Sequence, residues 1–148
     1  MFRTVLPPTY CLIYVTAAIV LHVLFPIKNI VPTPYNFVGL MPLLLGILIN
    51  IWADSLFKKA GTEVKSFDKP SVLVMTGPFR ISRHPMYLGF VLLLLGVALA
   101  LGSLISFYAP LVMALTLETL FIPYEERMCE REFGQQYLDY KKRVRRWF

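Results

Sequence analysis

Four long apolar runs, separated by prolines, glycines and charged residues, dominate the pattern of this chain. They cover about residues 10–27, 36–53, 86–101 and 104–122. Eighteen helical residues at about 1.5 Å each rise about 27 Å, which is close to the thickness of a bilayer core. The pattern therefore predicts an all-α integral membrane bundle of four transmembrane helices, in a single domain over residues 1–148.

Turn-forming residues set the connections between these runs. Pro26, Pro32 and Pro34 predict a loop after the first run. Pro42 lies inside the second run and predicts a kink there, which membrane helices tolerate when neighbours satisfy the freed carbonyl. Gly102-Ser103 predicts a tight turn, so the last two runs should form a hairpin with almost no loop.

Composition supports the membrane interpretation. Apolar residues make up 57% of the 148 residues and charged residues only 16%. Soluble domains carry about 45–50% apolar and about 25% charged residues, and so small a soluble globule cannot bury this much apolar surface. The same figures exclude intrinsic disorder, collagen and a disulfide scaffold. Cys11 and Cys129 have no metal-ligand spacing, and no metal is expected.

The positive charge is distributed unevenly between the two sides of the predicted bundle. Of the 15 Lys and Arg residues, only Lys28 falls on the side opposite the termini. The positive-inside rule therefore predicts that both termini, a loop of residues 54–85 and a tail of residues 123–148 are cytosolic. This orientation accounts for the net charge of +6 without a nucleic-acid partner. The basic end with Trp147 and Phe148 suits an anionic membrane surface.

Three polar side chains fall inside the predicted spans. His22 is expected to be a hydrogen-bonded packing residue rather than a ligand. Asn50 and Glu118 lie at similar depth and can pair across the bundle; Glu118 either forms such a structural pair or lines a site. Glu118 precedes Glu125 by two helical turns, so the two should share a face if the helix continues.

The end of the cytosolic loop offers a candidate ligand site. His84-Pro85 predicts that the third helix starts just after His84, because the residue before a proline disfavours helix. The N–H groups at that helix start, together with Arg83, can bind an anionic group. The alternative is that Arg83, His84 and Tyr87 only anchor the helix at the headgroup level.

The tail contains a second candidate site. Phe133, Tyr137 and Tyr140 recur at helical spacing and predict an amphipathic helix. Glu125 and Glu126 come directly after the fourth run, where two carboxylates facing an anionic surface indicate a cationic partner.

Two ordered motifs give the chain a family resemblance. The first is Leu73-Val74-Met75-Thr76-Gly77-Pro78-Phe79-Arg80 running into Arg83-His84-Pro85-Met86-Tyr87-Leu88-Gly89. The second is Glu125-Glu126 followed by Phe133-Gly134-Gln135-Gln136-Tyr137-Leu138-Asp139-Tyr140-Lys141. With these motifs, residues 61–148 resemble the isoprenylcysteine carboxyl methyltransferase family, within a wider group that includes phospholipid N-methyltransferases.

The resemblance implies a membrane-embedded methyltransferase that uses S-adenosylmethionine, with the loop and the tail forming a cytosolic cap over the cofactor. The cofactor contacts carried over by position are Ser71, Val72, Leu73, Val74, Phe79, His84, Pro85, Met86, Tyr87 and Glu125. The backbone of Ser71 to Val74 would hold the adenine side, and Glu125 the cationic methionine end. The candidate catalytic residues are Glu126, Arg83 and Arg127. A lipophilic acceptor would enter between the helices.

One position departs from the family pattern and leaves the acceptor open. The eukaryotic carboxyl methyltransferases carry an Arg one turn before the acidic pair, attributed to the substrate carboxylate, and this chain has Phe121 there. The acceptor group can therefore be a carboxylate, an amine or a thiol. Two alternatives remain: an NADPH-dependent membrane reductase of the related sterol-reductase type, which Met86 and Phe90 disfavour, and a non-catalytic lipid-binding protein.

Overall fold

The computed structural model describes residues 6–25, 27–61 and 71–148, and these residues form helices joined by short turns. The helices are α1 (Pro7–Leu24), α2 (Leu40–Lys59), α3 (Pro85–Leu101), α4 (Tyr108–Thr116), α5 (Ile122–Phe133) and α6 (Gln135–Arg143). Apart from two isolated bridges, no strand occurs in the described ranges. The prediction of an all-α fold is confirmed for this part of the chain.

Within the residues that the structure describes, three helical stretches are long and apolar enough to cross a membrane: Pro7–Leu24, Tyr35–Lys59 and Leu104–Phe133. The remaining predicted span is α3, an apolar helix of 17 residues. Large apolar side chains such as Leu12 and Met41 are exposed, as a lipid environment favours. These features support a multi-pass membrane protein, whereas a bundle of four spans stays a prediction.

The first two helices differ from their predicted limits. α1 begins at Pro7 rather than residue 10, because proline at the first helical position is preset for the helical backbone. α2 runs on to Lys59, where the sequence predicted a loop from residue 54. Lys58 binds Asp54 at 2.6 Å, one turn earlier on that helix. The polar end of α2 is therefore helical, and the predicted start of the loop is wrong.

Two prolines mark where spans begin rather than where they break. Tyr35–Gly39 and Leu104–Phe107 are short 3₁₀ turns that lead into α2 and α4. Pro42 and Pro110 lie in the first turns of those α-helices. The turns before them are 3₁₀ rather than α-helical, so each proline lies at the start of the α-helical hydrogen bonding and not in its interior.

Glycines bring α2 and α3 into direct backbone contact. A Cβ on Gly46 would lie 2.7 Å from the Leu93 nitrogen and closer still to the Gly89 carbonyl. Gly39 and Gly96 face each other in the same way. Small residues permit this approach where the hydrophobic effect cannot drive helix association. α1, α3 and α4 form the other part of the core around the buried side chains of Leu94, Met113 and Leu117.

The end of the bundle opposite the tail is closed by a polar cluster. Gly102 adopts a left-handed backbone at φ 74°, and its carbonyl accepts hydrogen bonds from the Ile30 and Val31 amides. His22 Nδ1 lies 2.8 Å from Ser103 Oγ, which lies 2.7 Å from Ser106 Oγ. The predicted tight turn at Gly102-Ser103 and the predicted packing role of His22 are both confirmed.

The fourth predicted span continues into the tail without stopping. A π-helical turn, Leu117–Phe121, joins α4 to α5. Gly134, at φ 49°, then separates α5 from α6. The tail therefore holds two helices rather than the single amphipathic helix that the aromatic spacing predicted. The last five residues, Val144–Phe148, turn back along Ser82-Arg83, and we refer to them as the C-terminal strap.

Candidate functional site

The start of α3 places a histidine and a tyrosine side by side. His84 is the cap residue before Pro85, and its amide donates to Ser82 Oγ at 3.1 Å. The His84 and Tyr87 rings stack with centroids 5.4 Å apart and planes 7° apart. The proline at the first helical position fixes where the helix starts, so His84 lies at its cap and Tyr87 in its first turn.

Glu125 approaches this stacked pair from α5. The Tyr87 hydroxyl donates to Glu125 Oε1, and His84 Nδ1 lies 3.6 Å from Glu125 Oε2. The side chain of Glu125 is 21% exposed. A carboxylate offers about four acceptor positions, so Glu125 retains acceptor capacity for a further donor.

Glu126 is the most enclosed carboxylate of the site, with a side chain that is only 4% exposed. Arg83 Nη2 lies 2.8 Å from its Oε1, and Arg83 itself is 8% exposed. Arg146 donates to both oxygens, at 3.2 and 2.8 Å. His84 Nε2 lies 3.6 Å away and Lys141 Nζ 3.7 Å away. Buried charge requires such compensation, so Glu126 is held within an internal network.

The π-helical turn determines which carboxylates share a face. Arg146 bridges Glu126 and Glu118, and Trp147 Nε1 donates to Glu118 Oε2 at 2.9 Å. A π turn holds an extra residue, so the side chain that follows Glu118 by two turns is Glu126 and not Glu125. The expectation that Glu118 shares a face with Glu125 is therefore corrected by one residue.

The predicted pairing of Asn50 with Glu118 is wrong. Asn50 does not pair with Glu118, because its Nδ2 donates to the Gly46 carbonyl at 2.9 Å. Glu118 instead has the structural partners Arg146 and Trp147. Arg146 and Trp147 of the basic end therefore bind an internal carboxylate. For the rest of the basic end, contact with an anionic membrane surface stays a prediction. A carboxylate at a membrane end is costly unless it is paired, which favours these internal contacts.

The two carboxylates also determine the protonation of His84. Burial lowers the pKa of His84, but the contacts with Glu125 and Glu126 raise it more, so its pKa lies above the ordinary value. The charged form of the ring is therefore favoured next to Glu125 and Glu126.

The other predicted cofactor contacts lie in the segment before α3 and at the start of that helix. Ser71 and Val72 are exposed, while Leu73 and Val74 are partly buried in a segment without helix or strand. Phe79 lies in the short turn Gly77–Arg80, which confirms the predicted turn at Gly77-Pro78. Pro85 is buried and Met86 partly buried at the start of α3. Tyr140, whose pKa burial raises to about 12, donates to the Phe79 carbonyl at 2.6 Å.

Arg127 lies apart from this cluster on the exposed side of α5. Its Nε donates to the Pro123 carbonyl at 2.9 Å. Together with Tyr124, Met128 and Arg131 it lines a surface cavity of about 220 Å³. Phe121, at the position of the family arginine, is buried and packs edge-on against Tyr10 at 5.6 Å. An aromatic side chain therefore fills the core where that arginine would stand.

The residues that the sequence reasoning missed belong to the C-terminal strap. The Arg83 amide donates to the Arg145 carbonyl at 3.0 Å, and Ser82 Oγ donates to the Arg146 carbonyl at 2.9 Å. In the sequence, the presence of Glu118 inside an apolar run was the signal for such a partner, because a carboxylate there requires a cation. Sequence spacing alone could not identify which of the many tail cations supplies it.

The chemistry of the cluster fits the cofactor that the resemblance implies. Glu125 is a partly exposed carboxylate able to accept from an ammonium group. His84 Nε2 and Arg83 Nε are buried nitrogens that make no hydrogen bond within the described part of the chain. In those same ranges, no group of three His, Cys, Asp or Glu side chains is arranged to hold a metal ion.

The fold and the site together define an all-helical membrane protein with an ionic cluster at one end of its bundle. The profile of the phospholipid methyltransferase family matches residues 35–136, so the chain belongs to that family. The family resemblance drawn from the two motifs is thereby confirmed. The matched region begins just before α2 and ends within α6, so it includes His84, Tyr87, Glu125 and Glu126 but not the strap.

Individual relatives carry related names. The chain is 32% identical over 111 residues to protein-S-isoprenylcysteine O-methyltransferase A of Arabidopsis thaliana, covering 74% of this chain and 56% of that protein. It is 39% identical over 72 residues to protein-S-isoprenylcysteine O-methyltransferase B of the same plant, covering 49% of this chain and 36% of that protein. An uncharacterized protein of Haemophilus influenzae is 37% identical over 62 residues, covering 42% of this chain and 98% of that protein.

The chain spans about a third to just over half the length of the plant relatives. No solved structure matches the chain.

Proposed function

We propose that this protein transfers a methyl group from S-adenosylmethionine to a lipophilic, membrane-associated acceptor at the cytosolic face. The observation that carries the proposal is the arrangement at the start of α3, where His84 and Tyr87 hold the partly exposed Glu125. Family membership supports methyl transfer, and the apolar helices support an acceptor that reaches the site from the bilayer.

Glu125 would bind the cationic amino-acid end of the cofactor through a charge-assisted hydrogen bond. Tyr87 and His84 would orient this carboxylate, and Ser71 to Val74 with Phe79 and Met86 would line the adenine side. When bound, S-adenosylmethionine supplies an electrophilic methyl group on a positively charged sulfur. The chain's contribution is to position an acceptor in line and to exclude water, which needs no covalent nucleophile.

The remaining charged residues have different proposed roles. Glu126 and Arg83 hold each other and would shape the wall of the site rather than touch the acceptor. Arg127, with Arg131, would bind an acidic group of the acceptor in the cavity on α5. We further propose four spans with both termini cytosolic, since α3 is only slightly shorter than the three longer stretches.

A methylation assay tests the proposal. The purified protein in lipid nanodiscs is supplied with S-adenosylmethionine that carries a labelled methyl group, together with an S-prenylcysteine, a phospholipid amine or a lipophilic thiol. Label transfer to one of these classes is expected, with Glu125→Gln reducing it about tenfold or more.

Glu132→Gln serves as the matched control, because it removes an exposed carboxylate from the same helix and should leave transfer unchanged. Absence of transfer to every acceptor class, combined with binding of NADPH, would replace the proposal by a reductase. Binding of neither cofactor would favour a non-catalytic lipid-binding protein.

A further inference from the structure

One arginine outside the family match holds two carboxylates of the bundle at once. Arg146 in the C-terminal strap donates to Glu118 from Nη1 and to Glu126 from Nε and Nη2. Glu118 belongs to the π-helical turn and Glu126 to α5, so one guanidinium joins consecutive helical segments. The planar five-donor group of arginine suits such a bridge, whereas a lysine ammonium presents a single point charge.

The same strap is attached to the other wall of the site. The Arg145 carbonyl accepts a hydrogen bond from the Arg83 amide, and the Arg146 carbonyl accepts one from the Ser82 hydroxyl. Ser82 Oγ in turn accepts from the His84 amide. The strap therefore links the segment before α3, which carries Arg83 and His84, to the helix that carries Glu125 and Glu126.

Because Arg146 neutralises Glu126, it also affects the surroundings of Glu125. His84 lies 3.6 Å from both Glu125 and Glu126. While Arg146 and Arg83 neutralise Glu126, His84 can remain between the two carboxylates. Without Arg146, the enclosed Glu126 would lose one of its cations, and His84 would be drawn toward it and away from Glu125.

We propose that Arg146 is a positioning residue for the binding of the cationic methyl donor: it neutralises Glu118 and Glu126 and so leaves His84 and Tyr87 to orient Glu125. This inference rests on the proposed function. Arg146 would act on the cofactor only through the two carboxylates that it binds.

The experiment compares Arg146→Gln, Arg146→Lys and Arg145→Gln by calorimetric titration with S-adenosylmethionine in detergent, followed by kinetics with the accepted substrate. Arg145→Gln is the matched control, because it removes the same charge from an exposed neighbouring side chain of the strap. Arg146→Gln should raise the Kd and the KM for S-adenosylmethionine about tenfold. The kcat at saturating cofactor should change much less.

A second variant separates positioning from loss of fold. Arg146→Gln combined with Glu126→Gln removes a cation and an anion together, and it should recover part of the lost affinity if compensation of Glu126 is the mechanism. Arg146→Lys should fall between wild type and Arg146→Gln. Circular dichroism of each variant identifies any that has lost helix. If Arg146→Gln unfolds while the double variant folds and binds S-adenosylmethionine, that result also supports the compensation mechanism.

Three outcomes overturn the inference. Unchanged affinity in Arg146→Gln removes the positioning role, although the proposed function stands as long as wild type binds. Tighter binding would show that Arg146 competes with the cofactor for the carboxylates. Absence of S-adenosylmethionine binding by wild type rejects the proposed function and this inference together.

Discussion

The buried pair of Glu126 and Arg83 should be the most costly ionic contact of the protein to break. The change that tests it is Glu126→Gln, which keeps the shape of the side chain and removes its charge. In the native protein Glu126 is 4% exposed and Arg83 8%, with 2.8 Å between Oε1 and Nη2. The glutamine leaves the Arg83 guanidinium enclosed without its counter-charge.

The size of the effect follows from that enclosure. Breaking a buried ion pair by removing one partner costs about 3–5 kcal/mol. Arg146 is 34% exposed, so water can solvate it after the change and its share of the loss is smaller. We therefore expect Glu126→Gln to lower the free energy of unfolding by about 3 kcal/mol.

The assay is reversible unfolding in mixed detergent micelles, followed by the loss of helical circular dichroism. The control is Asp54→Asn, which breaks the exposed pair with Lys58 on α2 and should cost about 0.3–0.5 kcal/mol. A double-mutant cycle of Glu126→Gln with Arg83→Gln should give a coupling energy of about 2 kcal/mol.

A cost for Glu126→Gln no larger than that of Asp54→Asn would refute the reasoning. So would a coupling energy near zero with Arg83. Either result would mean that water solvates the cluster and that its charges act independently.

Three other predictions concern pH, packing and topology. Because the pKa of His84 is raised above its ordinary 6.5, its stabilising contribution is complete below pH 6.5 and is lost as pH rises through the raised value. The free energy of unfolding measured against pH should show this loss in wild type but not in His84→Gln. Gly46→Ala should cost about 1–3 kcal/mol in the same unfolding assay, because the added methyl group meets the backbone of α3; a neutral result would contradict the close approach. In a variant without native cysteines, impermeant maleimide should label Lys28→Cys and Gln136→Cys from opposite sides of the membrane; labelling of both from one side would overturn the topology.

The order of the helices and the start of α3 could be predicted because they depend on local signals. The apolar runs predicted where the long helices lie, and His84-Pro85 predicted a helix start that the structure places at Pro85. Positions of single residues around a helix were less predictable. The π-helical turn shifts the face by one residue, and no periodic pattern indicates where such a turn occurs.

The ionic cluster shows a second limit of the sequence pattern. The adjacent Glu125 and Glu126 indicated a cationic partner, but the structure gives them different surroundings. Glu126 is surrounded by Arg83 and Arg146, whereas Glu125 contacts only the neutral Tyr87 hydroxyl and the more distant His84 among the partners described. Contacts between Glu126 and Arg146 depend on the reversal of the chain after α6, which only the folded structure reveals.

Binding of S-adenosylmethionine to the purified protein in detergent tests the central claim most directly. Calorimetric titration should show binding to wild type, binding weakened about tenfold in Glu125→Gln, and unchanged binding in Glu132→Gln. Equal affinity in wild type and Glu125→Gln, or binding of NADPH in place of S-adenosylmethionine, would contradict the claim that Glu125 holds a cationic methyl donor.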